Sequence, residues 1–418
     1  MRRLLAALAA AVVLAVVGAL APPPVQDPLP GLRNGDAWRH AAPSADRSLG
    51  AGLLGPVEDR LWLLAGAVPG PGTRPLARQA LVDLRALTRD NGAVAAGPAG
   101  PWAFDWPRDS AFVAAAFAVS GHEDDAWRVL EFFARVQRPD GGFEARYLLD
   151  GTGVPDARPA QSDGAGWLLW GMDRVRTATG GGPLPGRLRV LRDRATRFVL
   201  AQTRSGRALP PASPDYWEVP ERRLTLGTAA PLAAGLEASA RTYAAEGDGR
   251  RAHESATAAV TLRRLIRDGF GPAYERHRGG GGLDAAVAML MPPFADLDDP
   301  AAVSAWQRYP VLALRSAGGL APGAEWKQDG VSWTPETALI AYTAAASGRV
   351  DDSRQWLEWL RRHRTSWGSL PEKVLPDGSP AGPAPLAWTS ALVVLTEAAL
   401  DERRRTVEDP AYRSVGLG

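Results

Sequence analysis

The chain has 418 residues, 45% of them hydrophobic, enough to bury one large core or two ordinary ones. Its formal net charge is only +2, and no Lys/Arg run is interleaved with aromatics, which argues against a nucleic-acid surface. Cysteine is absent and the five histidines are scattered, so disulfides, thiol nucleophiles and thiolate metal sites are excluded; no metal or other cofactor is expected.

At the N-terminus, Arg2-Arg3 precede the apolar run Leu4–Ala21, the pattern of an export signal. Residues 1–21 are either a signal peptide cut after Ala19-Leu20-Ala21 or an uncleaved membrane anchor. The run is about long enough to span a bilayer, and Pro22 disfavours cleavage. Either way the body is expected on the outer side. Residues 22–50 carry Pro, Gly and Asp without periodicity and read as a tether. Residues 51–406 read as the folded domain and 407–418 as a short tail.

Within the domain strand signals are almost missing, and helical stretches alternate between two kinds. Glu123–Gln137, Arg187–Ala201 and Asp351–Arg364 are amphipathic, whereas Ala111–Val119, Ala285–Met291, Ala338–Ala346 and Ala391–Leu400 are apolar nearly all round. A helix with no polar face must be enclosed by protein. The enclosed kind begins near residues 110, 165, 226, 284, 335 and 387, a period of roughly 50 to 60 that suggests repeated helical hairpins. The expected fold is therefore all-α, an (α/α)6 toroid of six inner helices ringed by outer ones. A generic helical solenoid is the alternative that periodicity alone leaves open.

The loops entering the inner helices would all lie at one end of such a ring. They hold Trp106, Arg108 and Asp109; Arg158, Gln161 and Asp163; Trp217 and Glu218; Arg308 and Tyr309, with Trp333 further on; and Glu372 with Trp388. Aromatic faces stack on the apolar side of pyranose rings, while Asp and Arg pair with hydroxyls, so this collection describes a sugar site. Glu218 and Glu372 stand out because each lies in a Pro-containing loop ahead of a long apolar run, Leu226–Leu236 and Leu386–Leu400. Glycosidic hydrolysis needs two carboxyl groups, and these are the candidates. A lone loop glutamate is more often a solvated charge; the surrounding residues shift that reading.

The same segments, in the same order, resemble the glucoamylase-like glycosidases, glycoside hydrolase family fifteen. The resemblance rests on Trp106-Pro107-Arg108-Asp109, Arg158-Pro159-Ala160-Gln161-Ser162-Asp163-Gly164, Asp215-Tyr216-Trp217-Glu218, Leu283-Asp284-Ala285, Arg308-Tyr309-Pro310 and Pro371-Glu372-Lys373, over roughly residues 80–400. It implies an exo-acting, inverting α-glycosidase acting on an oligosaccharide or polysaccharide, with the domain 51–406 catalytic. By position, Glu218 would be the general acid and Glu372 the general base. Trp106, Arg108, Asp109 and Arg308 would bind the terminal sugar, and Asp163 would hold the wall near Trp217. Burial against Trp217 would keep the acid protonated, and Lys373 would help ionise the base.

Three departures stand near the leaving side: Val219 follows Glu218, Val311-Leu312-Ala313 follow the Arg-Tyr-Pro segment, and Lys373 follows Glu372. They bear on starch-like specificity more than on hydrolysis, and Val219 keeps open a catalytically silent sugar-binding barrel at the cell surface, against which the retention of Glu218 and Glu372 argues. A different toroid enzyme, a lyase or terpene-type cyclase, would want an Asp-rich motif beside an aromatic cavity. Asp296-Leu297-Asp298-Asp299 before Pro300 starts a helix more naturally.

Overall fold

Apolar runs with no polar face become helices enclosed on every side. The computed structural model describes residues 51–70 and 74–408. The leader Leu4–Ala21, the tether of residues 22–50 and all but the first two residues of the tail lie outside them. Among the described residues the first six α-helices are α1 (Ala51–Ala65), α2 (Arg74–Leu87), α3 (Pro107–Val119), α4 (Glu123–Val136), α5 (Asp163–Ala178) and α6 (Gly186–Gln202). Then follow α7 (Leu226–Ala245), α8 (Gly249–Phe270), α9 (Pro300–Ala313), α10 (Thr334–Ala346), α11 (Val350–Arg362) and α12 (Ala387–Glu408).

Helices α3, α5, α7, α10 and α12 are the inner ones, and a six-residue 3-10 helix, Ala285–Leu290, fills the fourth of six inner places. Each inner element packs on the next, and α12 returns to α3, so the ring closes. Behind them lie α2, α4, α6, α8, α9 and α11. This is the (α/α)6 toroid. The sequence reading expects a full helix at the fourth place, over Ala285–Met291; only the short turn forms. Pro292-Pro293 follow directly, and proline neither donates a backbone hydrogen bond nor lets the preceding turn continue.

Local chemistry explains the two kinds of helix. In α4 the first turn is Glu123, Asp124 and Asp125 and the last carries Arg135, matching the helix dipole at both ends. Its buried side is Ala126, Val129, Leu130, Phe132 and Phe133, one stripe at helical spacing. By contrast, α3 is buried at every residue from Pro107 to Ala118. Inner helices approach closely where glycines allow it. A Cβ on Gly166 of α5 would lie 2.3 Å from the Pro231 carbonyl oxygen of α7, and one on Gly235 would lie 2.7 Å from the Gly166 Cα. The ring interior is filled by aromatics: Phe112 has Trp167, Trp170, Phe294 and Trp388 within 6 Å between ring centroids. Much of the tryptophan content is therefore core.

A small antiparallel sheet, absent from the sequence reading, completes the fold. β1 (Ser332–Trp333), β2 (Lys373–Val374) and β3 (Pro380–Ala381) pair in that order, with Trp333 opposite Lys373. It clamps the loop before α12 to the loop before α10. Both loops reach the same mouth.

Candidate active site

The amino ends of α3, α10 and α12 meet at one small cavity of about 100 Å³. Trp106 is the residue before α3, Arg108 and Asp109 stand in its first turn, and Glu336 stands in the first turn of α10. Trp102, Tyr216, Glu218, Trp333, Glu372 and Trp388 complete the wall. Helix amino ends carry partial positive charge, which is why carboxylates settle there. Glu218 and Glu372, 154 positions apart in the chain, line the same cavity.

Glu218 is held by its own turn and by its neighbours. Its backbone has φ +55°, the left-handed region that costs a side-chain-bearing residue about 1–2 kcal/mol. The turn closes through the Glu218 N–H donating to the Asp215 carbonyl (2.9 Å) and the Trp217 N–H donating to Asp215 Oδ1 (3.0 Å). Its carboxylate accepts from Arg158 Nη1 at 3.0 Å and Gln161 Nε2 at 2.9 Å, with Arg108 Nη1 at 3.5 Å. Arg158, Gln161 and Arg108, expected from the sequence as sugar-binding residues, thus meet around the Glu218 carboxylate.

Beneath the turn lies an ion cluster that the sequence reading did not find. Arg276 is buried, and its guanidinium donates to Asp215 (2.9 Å), Glu221 (2.6 Å) and Asp284 (2.8 Å). The Trp217 ring lies over it at 3.7 Å and meets Trp326 edge-on. This corrects the role given to Trp217. Its indole covers Arg276 and does not line the cavity, so it is not the apolar wall of Glu218. Glu221, the acid displaced beyond Pro220, ties Arg276 to His277 (3.0 Å). It supports the loop.

Glu372 has the opposite environment. It is 8% exposed, and burial pushes its carboxyl above the usual range despite Lys373 at 3.1 Å and the Trp102 indole donating at 3.2 Å. Lys373 Nζ sits over the Trp333 ring at 4.3 Å, which fixes its direction. Asp163 is buried at the start of α5, outside the cavity wall. Desolvation pushes it up to about 7 against the pull of Arg108. Asp109 pairs with Arg108 at 3.1 Å, and burial raises its carboxyl too.

Two expected site residues are elsewhere. Arg308 and Tyr309 were read as lying in a loop entering an inner helix, but they belong to α9, an outer helix. Asp299 caps α9 by accepting from the Ala301 and Ala302 N–H groups, and Pro300 opens it. On that helix Arg308 points to solvent. Tyr309 is fully buried and donates to the Ala321 carbonyl at 2.5 Å. Neither lines the cavity. Arg308→Ala is accordingly expected to leave kcat/KM within about twofold of wild type in a steady-state assay, since exposed substitutions away from special features cost little.

No family model matches the sequence. A stretch of 107 residues is 28% identical to an uncharacterized glycosyl hydrolase of Methanocaldococcus jannaschii, and it spans 25% of this chain and 17% of that protein. In three dimensions the chain is similar to a glycosidase solved as wild type, with a TM-score of 0.67 and 21% identity, over 78% of this chain and 96% of that one. A variant of that glycosidase was solved in complex with glucose. A bacterial glucoamylase complexed with acarbose has a TM-score of 0.69 and 18% identity, over 85% of this chain and 60% of that one. The glucoamylase of Saccharomycopsis fibuligera has a TM-score of 0.63 and 16% identity, over 78% and 94%.

The chain has the glucoamylase fold.

On this glucoamylase fold, sequence reasoning missed Trp102, Tyr216 and Glu336 in the wall, and Arg276 beneath it. One signal was present for Glu336. Trp333-Thr334-Pro335-Glu336 repeats the logic of Trp106-Pro107-Arg108-Asp109: an aromatic, then a proline at the helix start, then an acid in the first turn. Arg276 had no comparable mark. A larger cavity, about 610 Å³, opens at the carboxyl ends of the inner helices and includes Arg174, Tyr342, Arg354 and Glu402. Its lining holds a single carboxylate, Glu402, and so offers no carboxylate pair.

Proposed function

We propose that this protein is an exported, exo-acting inverting α-glycosidase that releases a terminal glucose from an oligosaccharide or polysaccharide. The observation that carries the reading is the pair Glu218 and Glu372, delivered by two separate loops into one tryptophan-walled cavity. Glucose and acarbose bound to relatives of this fold point the same way.

In this reading Trp106 and Trp333 stack on the terminal ring, and Arg108 with Asp109 holds its hydroxyls. Glu218 protonates the leaving oxygen while Glu372 takes a proton from the attacking water, and inversion requires them roughly 6.5–9.5 Å apart. Arg158 is partly exposed and bonded to Glu218, so the leaving sugar can compete for it. One observation favours the exchanged assignment: burial raises the Glu372 carboxyl, as suits an acid.

Leaving-group dependence separates the two. Glu218→Gln is expected to reduce hydrolysis of an α-glucoside with a poor leaving group by roughly 10²–10⁴-fold, the usual contribution of a general acid. The same variant should spare most activity on α-glucosyl fluoride. Equal loss on both substrates would count against Glu218 as the acid. The silent sugar-binding barrel would show glucose binding by the wild type with no turnover of any α-linked disaccharide.

Residues 4–21 would carry the body across the membrane, either cleaved or kept as an anchor. Sequencing the mature N-terminus distinguishes these outcomes.

A further inference from the structure

The cavity contains a third glutamate that the two-carboxylate reading does not use. Glu336 is 3% exposed, and its Oε2 has no hydrogen-bond partner although it is buried in the protein. It lines the same wall as Glu372, Arg108 and Trp333. Buried carboxyl oxygens are ordinarily satisfied, because an unmade bond costs about 1–3 kcal/mol. Here the unsatisfied oxygen belongs to a residue of the sugar cavity. The carboxyl is fixed by position, on the first turn of α10 behind Pro335, and β1 holds Trp333 beside it.

We propose that Glu336 is a specificity-determining residue that hydrogen-bonds one hydroxyl of the terminal sugar. This deepens the glycosidase reading and rests on it.

The protonation state fits a donor. Desolvation, with Glu372 and Asp284 adding repulsion and Arg108 opposing it, pushes the Glu336 carboxyl up to about 8. The buried Tyr309 senses the Glu336 charge as well, and Asp109 and Glu218 line the same cavity. At neutral pH the group is a neutral acid, so its O–H can donate to a sugar oxygen while its carbonyl oxygen accepts. Two neighbouring buried carboxyls in one cavity do not both ionise readily. Glu372 can thus carry the charge while Glu336 keeps its proton. A neutral donor also discriminates sharply: a site built to bond a hydroxyl rejects the sugar lacking it, because its own polar group is then left unpaired.

The test is binding of glucose and the series of monodeoxyglucoses to wild type, E336Q and E336A, by calorimetry at pH 6.5 and 9. Melting temperatures serve as the folding control. In wild type one deoxyglucose is expected to bind roughly tenfold more weakly than glucose. E336A should weaken glucose by a similar factor and leave that deoxyglucose unchanged. E336Q, whose amide donates without titrating, should keep most of the affinity at both pH values, whereas wild type should weaken at pH 9. A folded E336A that binds glucose as wild type does would overturn this proposal alone. So would losses that simply add between E336A and every deoxy sugar, or an E336Q as weak as E336A. If the wild type binds no glucose and cleaves no α-glucoside, the glycosidase reading falls and this proposal with it.

Discussion

Glu372→Gln is expected to lower turnover of every α-glucoside by roughly 10²–10⁴-fold while leaving glucose affinity within a few fold. The amide has nearly the same shape and keeps its place between Lys373 and the Trp102 indole, but it cannot accept a proton from water. Glucosyl fluoride should be hydrolysed as poorly as a disaccharide, because activation of the leaving group does not replace a missing base. That outcome is the mirror of Glu218→Gln. If Glu372→Gln spares the fluoride instead, the two roles are exchanged, as the buried environment of Glu372 would allow. The wild-type pH profile carries the same information. The Glu372 carboxyl is raised by burial, so if it is the base, activity should begin to rise at a higher pH than an ordinary glutamate would give. Glu372→Gln has no such limb.

The second large effect concerns stability. Arg276→Met is expected to destabilise the fold by about 3–5 kcal/mol, because it leaves Asp215, Asp284 and Glu221 facing one another without their shared cation. Thermal or urea unfolding measures it. The pH dependence gives the sign. In wild type, burial and the pull of Arg276 oppose each other at Asp284, where burial wins and the carboxyl is raised. At Glu221 burial is outweighed by His277 and Arg276, and the carboxyl is held below the usual range. Without Arg276, Asp284 should bind its proton more tightly still in the folded than in the unfolded chain, and Glu221 keeps only His277 to hold it down. The variant should therefore be least impaired near pH 4 and lose stability as pH rises. A variant uniformly destabilised from pH 4 to 8 would show that shape, not charge, is what Arg276 supplies. Activity should fall as well, since Asp215 closes the turn that sets Glu218 at φ +55°.

The legible part of the site is local in character. Trp106-Pro107-Arg108-Asp109 announces a helix start with its proline and its first-turn acid, and that start is what directs Arg108 and Asp109 into the cavity. Arg158 and Gln161 were readable from one loop, and the structure bonds both to Glu218. A short motif by itself does not fix the element that carries it. Arg308-Tyr309-Pro310 has the expected letters, yet Asp299 and Pro300 start a helix eight residues earlier and carry the arginine to solvent.

Helix periods, caps and the six-fold recurrence of enclosed helices depend on residues a few positions apart, and so the chain alone announces repeated all-α hairpins with Trp, Arg and carboxylates gathered in the loops that enter the enclosed helices. Which side chains meet there is another matter. Arg276 reaches Asp215 across 61 positions, Trp102 reaches Glu372 across 270, and Glu336 shares a wall with both glutamates. Those encounters follow from ring closure, from the close approach of α5 and α7 at Gly166 and Gly235, and from a three-strand clamp too short to leave an alternating pattern. Desolvation likewise arises only when the ring shuts around a group. That is why Glu218 and Glu372 look alike as letters yet differ within one cavity, one bonded by arginines and one buried beside Lys373 and the Trp102 indole.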